Sequence, residues 1–230
     1  MTLIKNDMAR FRHEVKHEIN YLDMLTLRTR LAAAMLPDAH GAGGRYEVRS
    51  LYFDSPSDKA LYQKFDGVKR REKYRIRMYD FDDSYISLQR KFRDGAMSAK
   101  DQAQISRPQM ECILREDYDW IKESSTGLLF EFYHKVLTDG LRPKVIVDYT
   151  REAFTCQAGN VRVTLDYNIR AGAPQNYFDP YTPTLPTRGP WCILEVKWDD
   201  FLPDFVRDLI YIPGRRTAAF SKYAACRVYG

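Results

Sequence analysis

The sequence predicts an α+β fold: a closed antiparallel β-barrel of about eight strands with helices packed outside it. Three observations carry this reading. About eight segments alternate apolar and polar residues with a period of two, as a strand does when its faces meet different surroundings. They follow one another mostly in antiparallel order, with turns or helical segments between. Five of them carry dense polar faces rich in cations. A single polar strand face simply meets water, but five such faces are better explained by strands closing around an interior.

The first strand is "FRHEVKHEINY", where Arg12, Glu14, Lys16 and Glu18 alternate with His13, Val15, His17 and Ile19. Asn20 caps a helix to about Met35, with Asp23 at its third position and Pro37 just past its end. "HGAGG" is a loop that lacks the Lys-Ser/Thr of a phosphate-binding P-loop. "YEVRSLYFDS" is the second strand, and "SPSDKALYQKFDG" is a short helix stopped by Gly67. Residues 70–80 and 84–92 form a hairpin around Asp82-Asp83. "MSAKDQAQIS" is a fifth, weaker strand. Ser106 and Gln109 form a capping box that opens a helix to about Glu123, and another helix runs from about Thr126 to Leu137. "RPKVIVDYTREAFTC" and "VRVTLDYNIR" are strands joined at "QAGN". Residues 172–190, rich in Pro, Gly and Tyr, are a long loop, and "WCILEVKW" is the eighth strand. From Pro203 the chain is short and mostly helical. With no repeat, low-complexity tract or linker, residues 1–230 read as one domain.

Composition narrows the class. Hydrophobic residues at 44% and charged residues at 29% describe a soluble globular protein. No apolar run approaches the ~20 residues of a membrane span, and the first residues lack the apolar stretch of a secretory signal. Cys112, Cys156, Cys192 and Cys226 are far apart, with no CxxC pair, as in a reduced cytoplasmic protein. The net charge of +5 favours an anionic partner.

The strand faces say more. Lys73, Arg75, Arg77 and Tyr79 share one face against Tyr74, Ile76 and Met78. Gln89, Lys91 and Arg93 oppose Ile86 and Leu88; Arg162, Thr164 and Asp166 oppose Val161, Val163 and Leu165. Glu195 and Lys197 oppose Leu194, Val196 and Trp198. On the 143–154 strand, Lys144, Ile146, Asp148, Thr150 and Glu152 form the polar face against Val145, Val147, Tyr149 and Arg151. Like charges about 7 Å apart repel by ~2 kcal/mol at a surface-like dielectric. An interior lined this way calls for an anion, and Arg75 and Arg77 suit a polyphosphate, which arginine binds through paired hydrogen bonds. Inward carboxylates such as Glu14 and Glu195 would orient the basic groups and could hold a divalent metal.

Together, "RHEVKHEI", "RSLYFDS", "REKYRIRMYD", "LQRKFRDGAMSAK", "VDYTREAF", "VRVTLDYNI", "ILEVKW" and "FSKY" resemble, in order and over nearly the whole chain, the VTC domain. That is the polyphosphate polymerase domain of the vacuolar transporter chaperone family, related to the CYTH triphosphate tunnel enzymes. The resemblance implies a tunnel that binds ATP and inorganic polyphosphate with a divalent metal, Mn or Mg, and no nucleic-acid partner. By position, Arg75 and Arg77 are similar to the family's paired tunnel arginines, and Lys91 and Lys100 to its tunnel lysines. Arg151 and Arg162 match the basic residues of Y-x-R-x-A-F and V-R-[IV]-x-L-D. Glu195 resembles the metal-binding Glu of L-E-V-K, and Ser221 and Lys222 match F-S-K. The implied catalytic set is Arg75, Arg77, Lys91, Arg151, Arg162 and Lys222. Arg12, Lys16, Lys73, Lys100, Lys197 and Ser221 would contact phosphates, and Glu195 and Glu14 the metal.

The chain departs from the pattern in places. Strand parity sets Arg151 on the face opposite Asp148, which asks for a slip or a bulge. A further family Lys, two residues before Ser221, is Ala219 here, with Arg215 or Arg216 as candidate substitutes. The ExExK opening of the CYTH hydrolases is Arg12-x-Glu14-x-Lys16, which argues against a two-metal triphosphatase. A triphosphate hydrolase and a non-catalytic polyphosphate- or nucleic-acid-binding module remain the alternatives, the last because Tyr and Phe interleave with the basic residues. "HEVKH" matches the zinc motif HExxH, but on a strand His13 and His17 stand about 13 Å apart, too far for one metal.

Overall fold

Alternation at residues 12–19 yields a strand, β1 (Arg12–Ile19). The computed structural model describes residues 11–41, 43–95, 97–124, 126–181, 185–186, 192–215 and 217–229. Next come α1 (Tyr21–Ala34), β2 (Leu36–Pro37), β3 (Arg45–Asp54) and α2 (Lys59–Phe65). Then follow β4 (Arg70–Tyr79), β5 (Asp82–Asp94), β6 (Met97–Ile105), α3 (Arg107–Leu114), α4 (Gly127–Asp139) and β7 (Arg142–Cys156). The chain ends with β8 (Val161–Gly172), β9 (Leu185–Pro186), β10 (Cys192–Trp198), α5 (Asp204–Ile210) and α6 (Lys222–Tyr229). Among the described residues no helix is long and apolar enough to cross a membrane.

The strands run β7-β3-β4-β5-β6-β1-β10-β8, and β8 pairs back onto β7. Eight antiparallel strands therefore close a ring, with the two-residue β2 and β9 added outside it on β7 and β8. The ring is not strictly a barrel. β1 and β6 meet in only two register pairs, Arg12 with Ser98 and His13 with Met97. Beyond that seam Thr217 bridges His17, and the Ala218 N–H donates to the Lys16 carbonyl at 2.7 Å. The segment leading to α6 thus lines part of the edge that β6 leaves open.

Three cores hold the ring. The outer faces of β3–β6, with Leu51, Ile76 and Leu88, pack under α3 and α4 through Met110, Ile113, Leu129 and Phe132. The outer faces of β8 and β10, with Val163, Leu165 and Leu194, pack under Met24, Leu27 and Leu31 of α1 and Val206 of α5. Each fully buried side chain of this size contributes ~1.5–3 kcal/mol. The third core lies inside. Tyr52, Val145, Val147, Ile169, Ala171 and Ile193 receive Tyr223, Ala224 and Cys226 of α6.

This inner core corrects the expected facing of the 143–154 strand. From Val145 onward β7 keeps its alternation, and its inner face is Val145, Val147, Tyr149 and Arg151. The face with more charge points outward, where Asp148 pairs with Arg49 and Glu152 with Arg28. The physical reason is α6, whose apolar side needs an apolar wall within the ring. The irregularity lies across the ladder in β8, where the register shifts beside Asn168, a residue at φ 54. Its effect is to turn Ile169 and Ala171 inward after Asp166.

Other expectations shift locally. α1 forms as expected, with the Asn20–Asp23 capping box. The 106–123 helix is α3 followed by a separate 3₁₀ turn at Asp119–Glu123, because Glu116 adopts φ 58 and ends the first helix. The β4–β5 turn is Asp80-Phe81, both at positive φ (49 and 58), not Asp82-Asp83. Asp80 is held there by the Glu47 N–H, which donates to its carboxylate at 2.8 Å. His13 and His17 lie on a strand, not the helix that HExxH zinc chemistry needs, and His13 stacks on Trp198 at 5.3 Å.

Candidate functional site: a cationic cavity through the ring

The inner row of β4 is Arg71, Lys73, Arg75, Arg77 and Tyr79. Register sets Arg71 beside Arg93, Lys73 beside Lys91 and Arg75 beside Gln89 on β5. Lys91 in turn stands beside Lys100 on β6. Opposed like charges ordinarily weaken a sheet. Among the described residues, eleven cationic side chains line the cavity: Lys16, Lys64, Arg71, Lys73, Arg75, Arg77, Lys91, Arg93, Arg151, Lys197 and Lys222. One carboxylate, Glu195, is among the lining residues, with Tyr52, Tyr149, Phe220, Ser221 and Tyr223 completing the wall.

Five of these cations are anchored by carboxylates. Glu14, buried beneath the cavity, contacts Lys16 at 2.7 Å and Lys91 at 2.9 Å, and accepts from Ser98. Burial and the nearby Glu195 push the Glu14 pKa up, but Lys91, Lys16 and Lys197 outweigh them and hold it below the ordinary range. Glu195 contacts Lys197 at 3.0 Å and Arg151 at 3.8 Å. Its pKa is likewise depressed, the surrounding lysines overcoming burial. Asp166, fully buried, accepts two bonds from Arg151 (2.7 and 2.8 Å) and contacts Lys222 at 2.5 Å. Burial raises its pKa and these two cations lower it, to about 2 overall.

The other six differ. Among the described residues Lys64, Arg71, Lys73, Arg75, Arg77 and Arg93 have no carboxylate within 4.0 Å. Arg75 donates to Gln89 at 3.0 Å and to the Tyr52 hydroxyl at 3.1 Å. Arg77, buried, donates to Ser50 and to the Tyr149 hydroxyl, both at 2.9 Å. Lys73 sits 4.8 Å over the Tyr223 ring and 3.4 Å from Ser221 Oγ. Burial, with Arg71 beside it, pulls its pKa down to about 7.

"FSKY" builds one wall. Ser221 opens α6 by accepting from the Ala224 N–H. Lys222 reaches Asp166 and lies 4.7 Å over the Tyr149 ring. Tyr223 donates to Asp54 at 2.6 Å, and Asp54 also accepts from the first N–H groups of α2. A single short motif thereby ties α6, α2 and β8 around the cavity.

The sequence-derived residues divide accordingly. Arg75, Arg77, Lys91, Arg151, Lys222, Lys16, Lys73, Lys197, Ser221 and Glu195 come together around the cavity, with Glu14 beneath. Arg162 lies in a small adjoining pocket, tied to Asp38 at 2.5 Å and to the Tyr46 hydroxyl. Lys100 is exposed and donates to Gln102. Arg12 is held apart by Asp199 at 2.8 Å and by the Asn160 carbonyl. Arg215 pairs with Asp23 at the start of α1, away from the cavity, and Arg216 lies outside the described residues. The sequence reading missed Lys64, Arg71, Tyr52, Tyr149 and Tyr223. Arg71 was visible as the next member of the β4 row, and Tyr149 as the neighbour of Arg151 on one face. Lys64 is brought in by helix packing, which leaves no mark on strand alternation.

Among the described residues no group of three His, Cys, Asp or Glu is placed to hold a metal ion by itself. Glu14 and Glu195 are near one another, and both already face lysines. One or two carboxylates completed by substrate phosphates are an ordinary ligand set for Mg²⁺. The donors present fit a cation that arrives with a triphosphate.

A sequence profile of the VTC domain matches residues 11–229. Two solved structures share the fold. One is HpAC1 from Hippeastrum, an adenylyl cyclase candidate described as having a dominant triphosphatase activity. It is 16% identical, with a TM-score of 0.57, over 94% of this chain and 95% of that one. The other is an adenylate cyclase candidate from Bacillus halodurans, 13% identical with a TM-score of 0.51, over 81% of this chain and 79% of that one. No curated protein sequence matches the chain.

Proposed function

The chain belongs to the VTC domain family, and on that footing we propose that it is a polyphosphate polymerase, moving the γ-phosphoryl of ATP onto an inorganic polyphosphate chain. The observation that carries this is the set of six cavity cations that, among the described residues, have no carboxylate partner within 4.0 Å. A protein holds charges in that state, against their mutual repulsion, where an anion completes them. Their spacing along β4, about 7 Å between successive inward residues, suits a linear polyanion.

Phosphoryl transfer asks a protein for alignment and charge neutralisation more than for covalent chemistry. Arg75 and Arg77 are held by neutral oxygens, leaving their positive charge for phosphate oxygens. Lys73 and Lys91 flank them across the β4–β5 ladder. Arg151 and Lys222, fixed by Asp166, face this row across the Tyr149 ring. An oxygen of the polymer's terminal phosphate bonds to the γ-phosphorus as the bond to the β–γ bridging oxygen breaks, and its electron pair leaves on ADP. The nucleophile is already anionic at neutral pH, so no strong general base is needed. A divalent cation, Mn²⁺ or Mg²⁺, held by Glu195 and Glu14 with the triphosphate, would neutralise charge on the phosphates.

The test is to incubate the purified protein with ATP and Mn²⁺ and resolve the products by polyphosphate length. A ladder that disappears in Arg75→Ala/Arg77→Ala supports the reading. ADP or phosphate without a ladder would make it a hydrolase, the kind of activity named for HpAC1. Tight polyphosphate binding without turnover would make it a binding module.

A further inference from the structure

Lys73 lies where two cavities meet. It lines the cationic cavity and also a second one, of about 330 Å³, between α2, α4 and β4. The two sides differ in charge. In the second cavity the charged groups satisfy one another: Lys59 faces Asp139 at 3.2 Å, and Lys135 faces Glu72 at 3.1 Å. Phe53, Tyr74 and Phe92 add apolar wall there. On the other side stand Arg71 and Arg75, which have no carboxylate within 4.0 Å among the described residues. The Lys73 amine has none either. Its contacts are Ser221 Oγ at 3.4 Å and the Tyr223 ring at 4.8 Å. Burial and the nearby Arg71 bring its pKa down to about 7, so at neutral pH much of the amine carries a free electron pair. Lys91, opposite on β5, differs in geometry, because its amine is tied to Glu14 by bonds of 2.9 and 3.2 Å.

We propose that Lys73 is a modification site, acylated by a small acyl phosphate whose phosphate is held by Arg71 and Arg75 and whose acyl group lies toward the second cavity. This rests on the reading of the cationic cavity as a phosphate site. The Lys73 nitrogen bonds to the carbonyl carbon. The bond from that carbon to the bridging oxygen breaks, its electron pair leaves on inorganic phosphate, and the amine proton goes to water. The arginines that hold the reagent also stabilise the leaving phosphate. Ser221 accepts from Lys73 and from the Ala224 N–H, which leaves its O–H to donate to the carbonyl oxygen as negative charge develops there. The product is a neutral amide. It takes one cation out of the β4 row and sets an acyl group beside Arg71 and Arg75, so acylation turns phosphate binding down.

The experiment incubates the full chain with acetyl phosphate at neutral pH and follows acetylation of each lysine by mass spectrometry. Lys73 is expected to react at least tenfold faster than Lys91 or Lys100. Saturating tripolyphosphate should slow it at least fivefold, and so should Arg75→Ala, with a melting curve to check that the variant is folded. Protein acetylated at Lys73 should bind tripolyphosphate at least tenfold more weakly. With N-acetoxysuccinimide, which carries no phosphate, the preference for Lys73 should fall below threefold. Lys73 reacting no faster than the other lysines, or preferred equally with both reagents, would overturn the inference while tripolyphosphate binding keeps the cavity reading intact. Unmodified protein that does not bind tripolyphosphate would overturn both.

Discussion

Arg77 donates from Nη2 to the Tyr149 hydroxyl and from Nε to Ser50 Oγ, both at 2.9 Å, so this buried guanidinium is held by neutral hydroxyls, with no carboxylate within 4.0 Å among the described residues. The arrangement is costly for folding and useful for binding an anion. Arg77→Met should therefore separate the two. Chemical denaturation should show the variant more stable by about 1 kcal/mol, while calorimetry should show tripolyphosphate affinity down by at least ~100-fold. A variant that is destabilised yet still binds would contradict this account.

Asp166 is the opposite case, a buried carboxylate on which two cations depend. Asp166→Asn leaves Arg151 and Lys222 without their counter-charge and should cost ~3–5 kcal/mol. The sign of the pH effect follows from its folded pKa of about 2, below the ordinary aspartate value of 3.8. Stability from the ionised group is complete above pH 4 and lost as pH falls through 2. Urea melts of wild type and variant should differ most above pH 4, and the gap should shrink by about 2 kcal/mol in strong acid.

Lys73, with a pKa of about 7 in the free protein, should gain a proton when a phosphate chain binds beside it. Because that pKa is depressed, the unfolded chain holds a proton between pH 7 and 10.5 that the folded one lacks, so folding stability from this group rises with pH there. Binding runs the other way. Affinity should weaken as pH rises above 7, by up to about tenfold per unit. Calorimetry at pH 8 in buffers of different ionisation enthalpy should reveal proton uptake in wild type that is reduced in Lys73→Met. Uptake of the same size in both would assign it to another group.

Glu195→Gln tests the cation reading. The substitution keeps the shape of a side chain that faces Lys197 and Arg151 but removes a ligand charge. The Mn²⁺ concentration needed for half-maximal turnover should rise at least tenfold, while tripolyphosphate binding in the presence of a chelator stays the same or tightens. An unchanged Mn²⁺ requirement would remove Glu195 from the metal's ligands.

Much of the fold was legible because strands with unlike faces write a period of two into the sequence. β1, β4, β5 and β10 place Lys16, Arg75, Lys91 and Glu195 on the side the alternation assigns. On β7 the alternation alone points the wrong way, because the face with more charge is the outer one. In the ring that face is satisfied from outside, Asp148 by Arg49 and Glu152 by Arg28, while α6 claims the apolar side. No local pattern announces that a helix some 70 residues later will enter the ring. Arg12 shows the same limit. Its parity with Glu14 is right, but Asp199 lies close enough to hold it away from the cavity. The split of the 106–123 helix turns on Glu116 adopting a left-handed conformation, which glutamate does not advertise.

Whether the β4 cations that lack a carboxylate among the described residues receive a phosphate chain is decided by a crystal structure with bound inorganic tripolyphosphate. Phosphates are expected between the Lys73–Arg75–Arg77 row and the Arg151–Lys222 wall, with Arg77 still bonded to Tyr149. Phosphate on the outer surface, with the cavity cations unengaged under saturating ligand, would contradict that expectation.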